Sequence, residues 1–212
     1  MQGKTYLITG AHRGIGRGMF DYYVALPNNT IVAAVRNVDA AQELLHVDYK
    51  GENTKVILAK IDSSSRTDPF DAVKSIQSDG VDHIDVVISS AGIAKLNTVE
   101  DMPLEELEEV LMINTFSVLL LYKATLPLLR KSESPRFVFI SAAGGSLTNM
   151  PQYPYPNSSY GGSKVLANYL VVKMGMENDW LITLLIHPGV SGLSKLTWEI
   201  LEPVLSAWRK HL

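Results

Sequence analysis

Tyr160 and Lys164 stand four residues apart in Tyr160-Gly161-Gly162-Ser163-Lys164, at the head of an apolar stretch of helical character. Residues i and i+4 share one helix face, so this spacing gives a phenol a fixed cationic neighbour. A tyrosine hydroxyl titrates near ~10 in isolation, and an adjacent ammonium is expected to stabilise the phenolate and lower that value. The pair can then exchange a proton with a substrate oxygen. A lone Y-x-x-x-K is more often a surface tyrosine above a surface lysine, so its meaning rests on the residues around it.

Thr9-Gly10-Ala11-His12-Arg13-Gly14-Ile15-Gly16 places three glycines between a strand and a helix start. Gly10 permits a tight turn, Gly14 lets a ligand approach the backbone, and Gly16 permits close packing. The free N–H groups of the helix that follows suit a pyrophosphate. An ordinary glycine-rich turn has the same letters, and the location in the first βα turn is what points to a dinucleotide. At the end of the second strand, where nicotinamide cofactors are told apart, stands Arg36. With Arg13 it offers two guanidinium forks to a 2′-phosphate, or the two are simply solvated arginines. Asp39 lies too late to be the obvious ribose acceptor, so NADPH is expected over NADH.

Three further residues have two readings each, and one short segment has a single reading. Asp62 accepts a hydrogen bond from an adenine amino group or caps the turn after the third strand. Asn114, among apolar neighbours, satisfies local backbone groups or holds a water beside the site. Ser141 closes the fifth strand at the edge where open α/β sheets bind ligands, or caps a turn. Ser89-Ser90-Ala91-Gly92 ends the fourth strand with small residues that let the backbone pass beside a ribose.

The elements that position these residues alternate. Strands are expected at Thr5–Thr9, Thr30–Val35, Lys55–Ile61, Ile84–Ser90, Arg136–Ser141 and Leu181–His187. Helical segments are expected at Gly14–Leu26, Ala40–His46, Pro69–Gln77, Pro103–Arg130 and Tyr160–Glu177. That order implies right-handed crossovers and one Rossmann-like, doubly wound parallel sheet with helices on both faces, in a single α/β domain over residues 1–212. Asn149–Ser159, with its prolines and tyrosines, reads as an ordered loop.

The 212 residues, 46% of them hydrophobic, suffice for one sizeable core. A net charge of −3 leaves no cationic excess for phosphate backbones, so nucleic acid is not an expected partner. The absence of cysteine excludes disulfides and thiol chemistry, and the five histidines have no metal-ligand spacing. No signal peptide and no membrane-spanning stretch is evident, so a cytoplasmic protein is expected.

Taken in order, Thr9-Gly10-x-x-x-Gly14-x-Gly16, Asp62, Ala91-Gly92, Asn114, Ser141, Tyr160, Lys164 and His187-Pro188-Gly189 resemble the motifs of the short-chain dehydrogenases/reductases over residues 4 to 190. Within that family the pattern is similar to the fungal and sniffer-like carbonyl reductases, including polyketide ketoreductases of the norsolorinic acid type. The resemblance implies Tyr160 as general acid/base and Lys164 as its electrostatic partner and a ligand of the nicotinamide ribose. It further implies Ser141 on the substrate oxygen and Asn114 on a water of the proton relay. Gly10, Arg13, Gly14, Ile15, Gly16, Arg36, Asp62, Ala91, Gly92, Pro188, Gly189 and Val190 are then expected around the cofactor. A small-molecule carbonyl substrate and a homodimer or homotetramer follow from the same resemblance.

Three departures from the family pattern stand out. Ser90 occupies the asparagine position of the family's Asn-Ala-Gly. The interval between Ser141 and Tyr160 is lengthened by Met150-Pro151-Gln152-Tyr153-Pro154-Tyr155-Pro156. After Gly189 the family's V-x-T is replaced by Val190-Ser191-Gly192-Leu193-Ser194, and only 23 residues remain, with no evident strand in Leu196–Leu212. The C-terminal part is expected to be abbreviated. The leading expectation is an NADPH-dependent reductase of a bulky apolar or aromatic ketone, with Ile93, Leu96, Met150, Tyr153 and Tyr155 beside the substrate. The alternatives are an imine reductase or epimerase on the same fold, and a cofactor-binding regulatory protein with little turnover.

Overall fold

The computed structural model describes residues 3–152 and 155–189. Six strands, β1 (Thr5–Thr9), β2 (Thr30–Val35), β3 (Lys55–Lys60), β4 (Val86–Ser89), β5 (Arg136–Ile140) and β6 (Ile182–Ile186), form one parallel sheet in the order β3-β2-β1-β4-β5-β6. The central strands are continuous apolar runs because both of their faces are covered. Alternation along them feeds two cores. Leu7, Val32, Val87, Phe137 and Phe139 point to one side. Tyr6, Ile8, Ile31, Val86, Ile88 and Val138 point to the other.

Helices α1 (Gly14–Val24), α2 (Asp68–Ser78), α3 (Leu104–Leu111), α4 (Ser117–Leu129) and α5 (Ser158–Met176) complete the layers. Met19, Phe20 and Val24 of α1 cover one face. Val73 and Ile76 of α2, Val118, Leu121 and Leu128 of α4, and Ala167 and Val171 of α5 cover the other. Helices on both faces of a parallel sheet are the architecture expected from the alternation of elements. The order reverses on either side of β1, so a crevice opens beyond the carboxyl ends of β1 and β4, where such sheets bind ligands.

Two elements depart from expectation. The segment Asp39–His46 is a 3-10 helix, entered through an Asn37 side chain that accepts the Ala40 N–H at 3.2 Å and an Ala41 N–H bonded to the Val38 carbonyl at 3.1 Å. The long helix expected over Pro103–Arg130 is interrupted by a π-helical turn, Met112–Phe116, between α3 and α4. By length and composition the combined run Leu104–Leu129 does reach the mark for a membrane span, contrary to the expectation that no stretch would. Its buried side chains pack on the sheet with α2 and α5, as those of a globular core helix do. Strand ends shift by one or two residues, and α5 starts two residues before Tyr160. The expected abbreviation of the C-terminal part concerns residues that lie outside those described.

Candidate active site

The glycine turn after β1 uses each glycine differently. Gly10 and Gly14 have positive φ, +68° and +60°, a region a side chain rarely adopts. A Cβ on Gly14 would meet nothing within 4 Å, so the backbone there is open to a ligand. A Cβ on Gly16 would lie 2.3 Å from the Gly10 carbonyl oxygen, so α1 can meet the turn only through a glycine. Arg13 caps α1 in an extended conformation, with no side chain closing the helix start and no acidic residue in its first turn. This cradle fits the diphosphate of a dinucleotide. Gly16→Ala is expected to cost about 1–3 kcal/mol by overpacking and to remove cofactor-induced stabilisation, measured by denaturant titration and thermal melts. A wild-type melt profile in this variant would show that the close packing is dispensable.

The loop after β4 is tied to its surroundings at three points. Thr9 Oγ1 accepts the N–H groups of Ser90 and Ala91 at 3.0 and 3.2 Å, which joins the ends of β1 and β4. Asn114, fully buried in the π turn, accepts the Ile93 N–H and donates to the Ile93 carbonyl, both at 2.9 Å. Its backbone partners thus lie 21 residues away rather than nearby in the chain. The same Nδ2 donates to Ser163 Oγ at 3.0 Å, and that hydroxyl donates to the Tyr160 carbonyl at 2.6 Å. Thr115 Oγ1 donates to the Ser163 carbonyl at 2.8 Å. The π turn presents Asn114 and Thr115 side by side to α5, a use such turns often have at functional sites. Asn97 holds the start of α5, accepting the Ser158 and Ser159 N–H groups at 3.0 Å each, and also donates to Glu106.

These ties shape a cleft of about 250 Å³. Ile15 lines it from α1, Ser90, Gly92, Ile93 and Ala94 from the loop after β4, and Ile140, Ser141 and Ala142 from the end of β5. Tyr160 and Lys164 enter from α5, and His187, Pro188 and Gly189 from the end of β6. Gly92 must be small, because a Cβ there would sit 3.1 Å from Asn114 Oδ1 and 3.8 Å from Lys164 Nζ.

Lys164 is 5% exposed. Its Nζ donates to the Ile140 carbonyl at 2.8 Å and lies 4.5 Å from the Phe139 ring centroid and 5.7 Å from that of Tyr160. Burial lowers its pKa to about 8. Burial also raises the Tyr160 phenol above its ordinary value, opposite to the lowering expected from the i,i+4 pair. The reason is physical: desolvation penalises the phenolate, while the ammonium turns to a backbone carbonyl instead of the hydroxyl. Tyr160 is therefore a protonated phenol at neutral pH, suited to giving a proton to a substrate oxygen.

The remaining expected residues fall around this cleft or apart from it. Arg13 and Arg36 are exposed, and neither pairs with a carboxylate among the described residues. Asp62 Oδ1 accepts the Ser64 N–H and hydroxyl at 2.9 and 2.7 Å, which is the turn-capping arrangement. Ser141 Oγ donates to Asn168 Oδ1 at 2.7 Å. Val190, Tyr153, Ser191 and Ser194 lie outside the described residues. Ser163, Asn97 and Asn168 were missed by sequence reasoning. For Ser163 and Asn168 a signal existed, since both are polar positions near Tyr160 and Lys164 on an otherwise apolar helix.

The chain resembles known proteins in sequence and in fold. Residues 4–200 match the family model described as short chain dehydrogenase. A norsolorinic acid ketoreductase of Emericella nidulans is 40% identical over 187 residues, covering 87% of this chain and 71% of the relative. Another, from Dothistroma septosporum, is 41% identical over 190 residues, again 87% of this chain and 71% of the relative. The crystal structure of an NADPH-bound carbonyl reductase from chicken fatty liver superposes with a TM-score of 0.83 at 27% identity, covering 97% of this chain and 91% of that one. The chain is therefore an oxidoreductase and belongs to the short chain dehydrogenase family.

Proposed function

We propose that this chain is an NADPH-dependent reductase of a bulky, apolar or aromatic ketone, with Tyr160 as its proton donor. The cleft carries the reading: a phenol that burial keeps protonated, a buried ammonium and a serine hydroxyl meet beside a glycine turn open to a dinucleotide. The nicotinamide, when bound, supplies a hydride to the carbonyl carbon. Gly10, Gly14, Gly16 and the first N–H groups of α1 hold its diphosphate. Arg13 and Arg36 hold its 2′-phosphate, and Asp62 stands on the adenine side. Ile15, Ala91, Gly92, Pro188 and Gly189 flank the rest of the cofactor.

Lys164 binds the ribose and keeps a positive charge beneath Tyr160. As charge develops on the substrate oxygen, Tyr160 gives it a proton and Ser141 hydrogen-bonds the same atom. Asn114 anchors the loop after β4 and holds a water that continues the relay beyond Lys164. Exposed Leu96, Met150 and Tyr155 offer apolar surface to a large substrate. The norsolorinic acid ketoreductases among the relatives support a ketone, and the NADPH-bound carbonyl reductase supports the cofactor. Exposed Leu166, Tyr169, Val172 and Met176 along α5 support a homodimer or homotetramer.

The test is thermal stabilisation by NADPH and by NADH, followed by a panel of ketones. NADPH should raise the melting temperature well beyond NADH, since a ligand that binds the native state stabilises it by mass action. Replacing Arg13 and Arg36 together by alanine should weaken NADPH about 10- to 100-fold, the worth of charge-assisted hydrogen bonds, and leave NADH unchanged. Equal stabilisation by both cofactors would remove the NADPH assignment. Cofactor binding without reduction of any ketone would remove the reductase assignment.

A further inference from the structure

We propose that Phe139 is a positioning residue for the reduction, whose ring face holds the Lys164 ammonium at the end of β5 as an uncancelled positive charge beneath Tyr160. The inference deepens the reductase reading above and rests on it. Phe139 is fully buried and points to the face of the sheet that α5 covers. Lys164 Nζ stands over its ring, 4.5 Å from the centroid, and donates to the carbonyl of the next residue, Ile140, at 2.8 Å. Two consecutive residues of one strand thus meet the same ammonium. The ring turns the negative face of its quadrupole to the cation, and the carbonyl turns its oxygen. With Lys164 nearly out of water, the ring contact is at the strong end of its kind.

The other neighbours of Lys164 bring no opposite charge. Helix α5 brings the Tyr160 phenol, its ring centroid 5.7 Å from Nζ, and the end of β6 brings His187 to the same cleft. The π turn, the loop after β4 and the turn Ala143–Gly145 bring neutral groups, among them Asn114, Gly92 and Gly145. No carboxylate pairs with Lys164 among the described residues. Burial draws its pKa down to about 8, so any group that favours the charged form weighs on how much ammonium is present near neutrality. A carboxylate would favour that form and cancel its field. A ring face favours it and adds no net charge, so the field remains to stabilise the phenolate left when Tyr160 gives up its proton.

The experiment titrates Lys164 in the cofactor-free protein through the NMR resonance of its isotope-labelled Cε, assigned by its absence in K164M. Phenylalanines bearing one, two and three ring fluorines are placed at position 139 alone, because fluorine drains the ring face of electron density with little change in volume. Lys164 should titrate at progressively lower pH along this series. In Phe139→Leu it should titrate about half to one and a half pH units below wild type, the worth of a desolvated cation–π contact. The alkaline limb of kcat/KM for NADPH in ketone reduction should move with it. A purely structural Phe139 would change stability or rate at every pH and leave the titration in place. A titration that ignores fluorination, or a limb that stays while the titration moves, would overturn the inference. Should F139L not fold, the fluorinated series carries the comparison by itself. Wild-type protein that reduces no ketone would sink the reductase reading and the part of Phe139 in reduction with it; active wild-type protein whose Lys164 titration ignores the ring would sink the inference alone.

Discussion

Tyr160→Phe is expected to lower kcat/KM for ketone reduction by about 10²- to 10⁴-fold, the contribution of a positioned general acid. The ring is kept, and with it the packing 5.7 Å from Lys164 Nζ, so the fold and the cofactor-induced rise in melting temperature should survive. That separation is the informative part. A variant that binds NADPH as wild type and fails to reduce a diketone locates the loss in proton transfer. One that reduces it at the wild-type rate removes Tyr160 from the mechanism. Because burial raises the phenol, Tyr160 should not itself limit reduction on the acid side of neutrality. The oxidative direction, which needs the phenolate, should be favoured by alkali.

Lys164→Met tests the buried ammonium through both activity and stability. The folded pKa of about 8 lies below the ordinary 10.5, so between those values the unfolded chain holds a proton that the folded chain has released. Stability contributed by this site therefore rises with pH across that window and is lowest where Lys164 is charged in both states. The span corresponds to about 3 kcal/mol at about 1.4 kcal/mol per pH unit. Measured by urea unfolding without cofactor, wild type should gain about that much relative to K164M between pH 7 and pH 10.5. A gap that does not move with pH would mean that the ammonium is not desolvated. Reduction should fall in wild type above pH ~8, where the free protein loses this charge, and should be nearly absent in K164M at every pH.

Much of this protein was legible in the chain alone, because it depends on local regularities. The six strands appear as short β-branched runs, since strands buried on both faces need continuous apolar sequence. The glycine turn could be read residue by residue: Gly14 at an open position and Gly16 against the Gly10 carbonyl are what a strand-to-helix turn around a diphosphate requires. The i,i+4 placement of Tyr160 and Lys164 followed from helix periodicity, and the alternation of strands and helices determined a doubly wound sheet.

Tertiary structure decided what those residues meet. The helical pattern of Pro103–Arg130 holds no sign of a π turn, because the turn exists to carry Asn114 to Ile93 and Ser163, 21 and 49 residues away. Nothing in the chain pairs Ser141 with Asn168, 27 residues on, whose amide oxygen accepts the Ser141 hydroxyl at 2.7 Å. The spacing of Tyr160 and Lys164 promised a lowered phenol, and burial reversed the sign once Lys164 found the Ile140 carbonyl. Periodicity along a chain determines which side chains share a face, whereas proton direction, desolvation and hydrogen-bond partners depend on groups brought together only when the sheet closes against its helices.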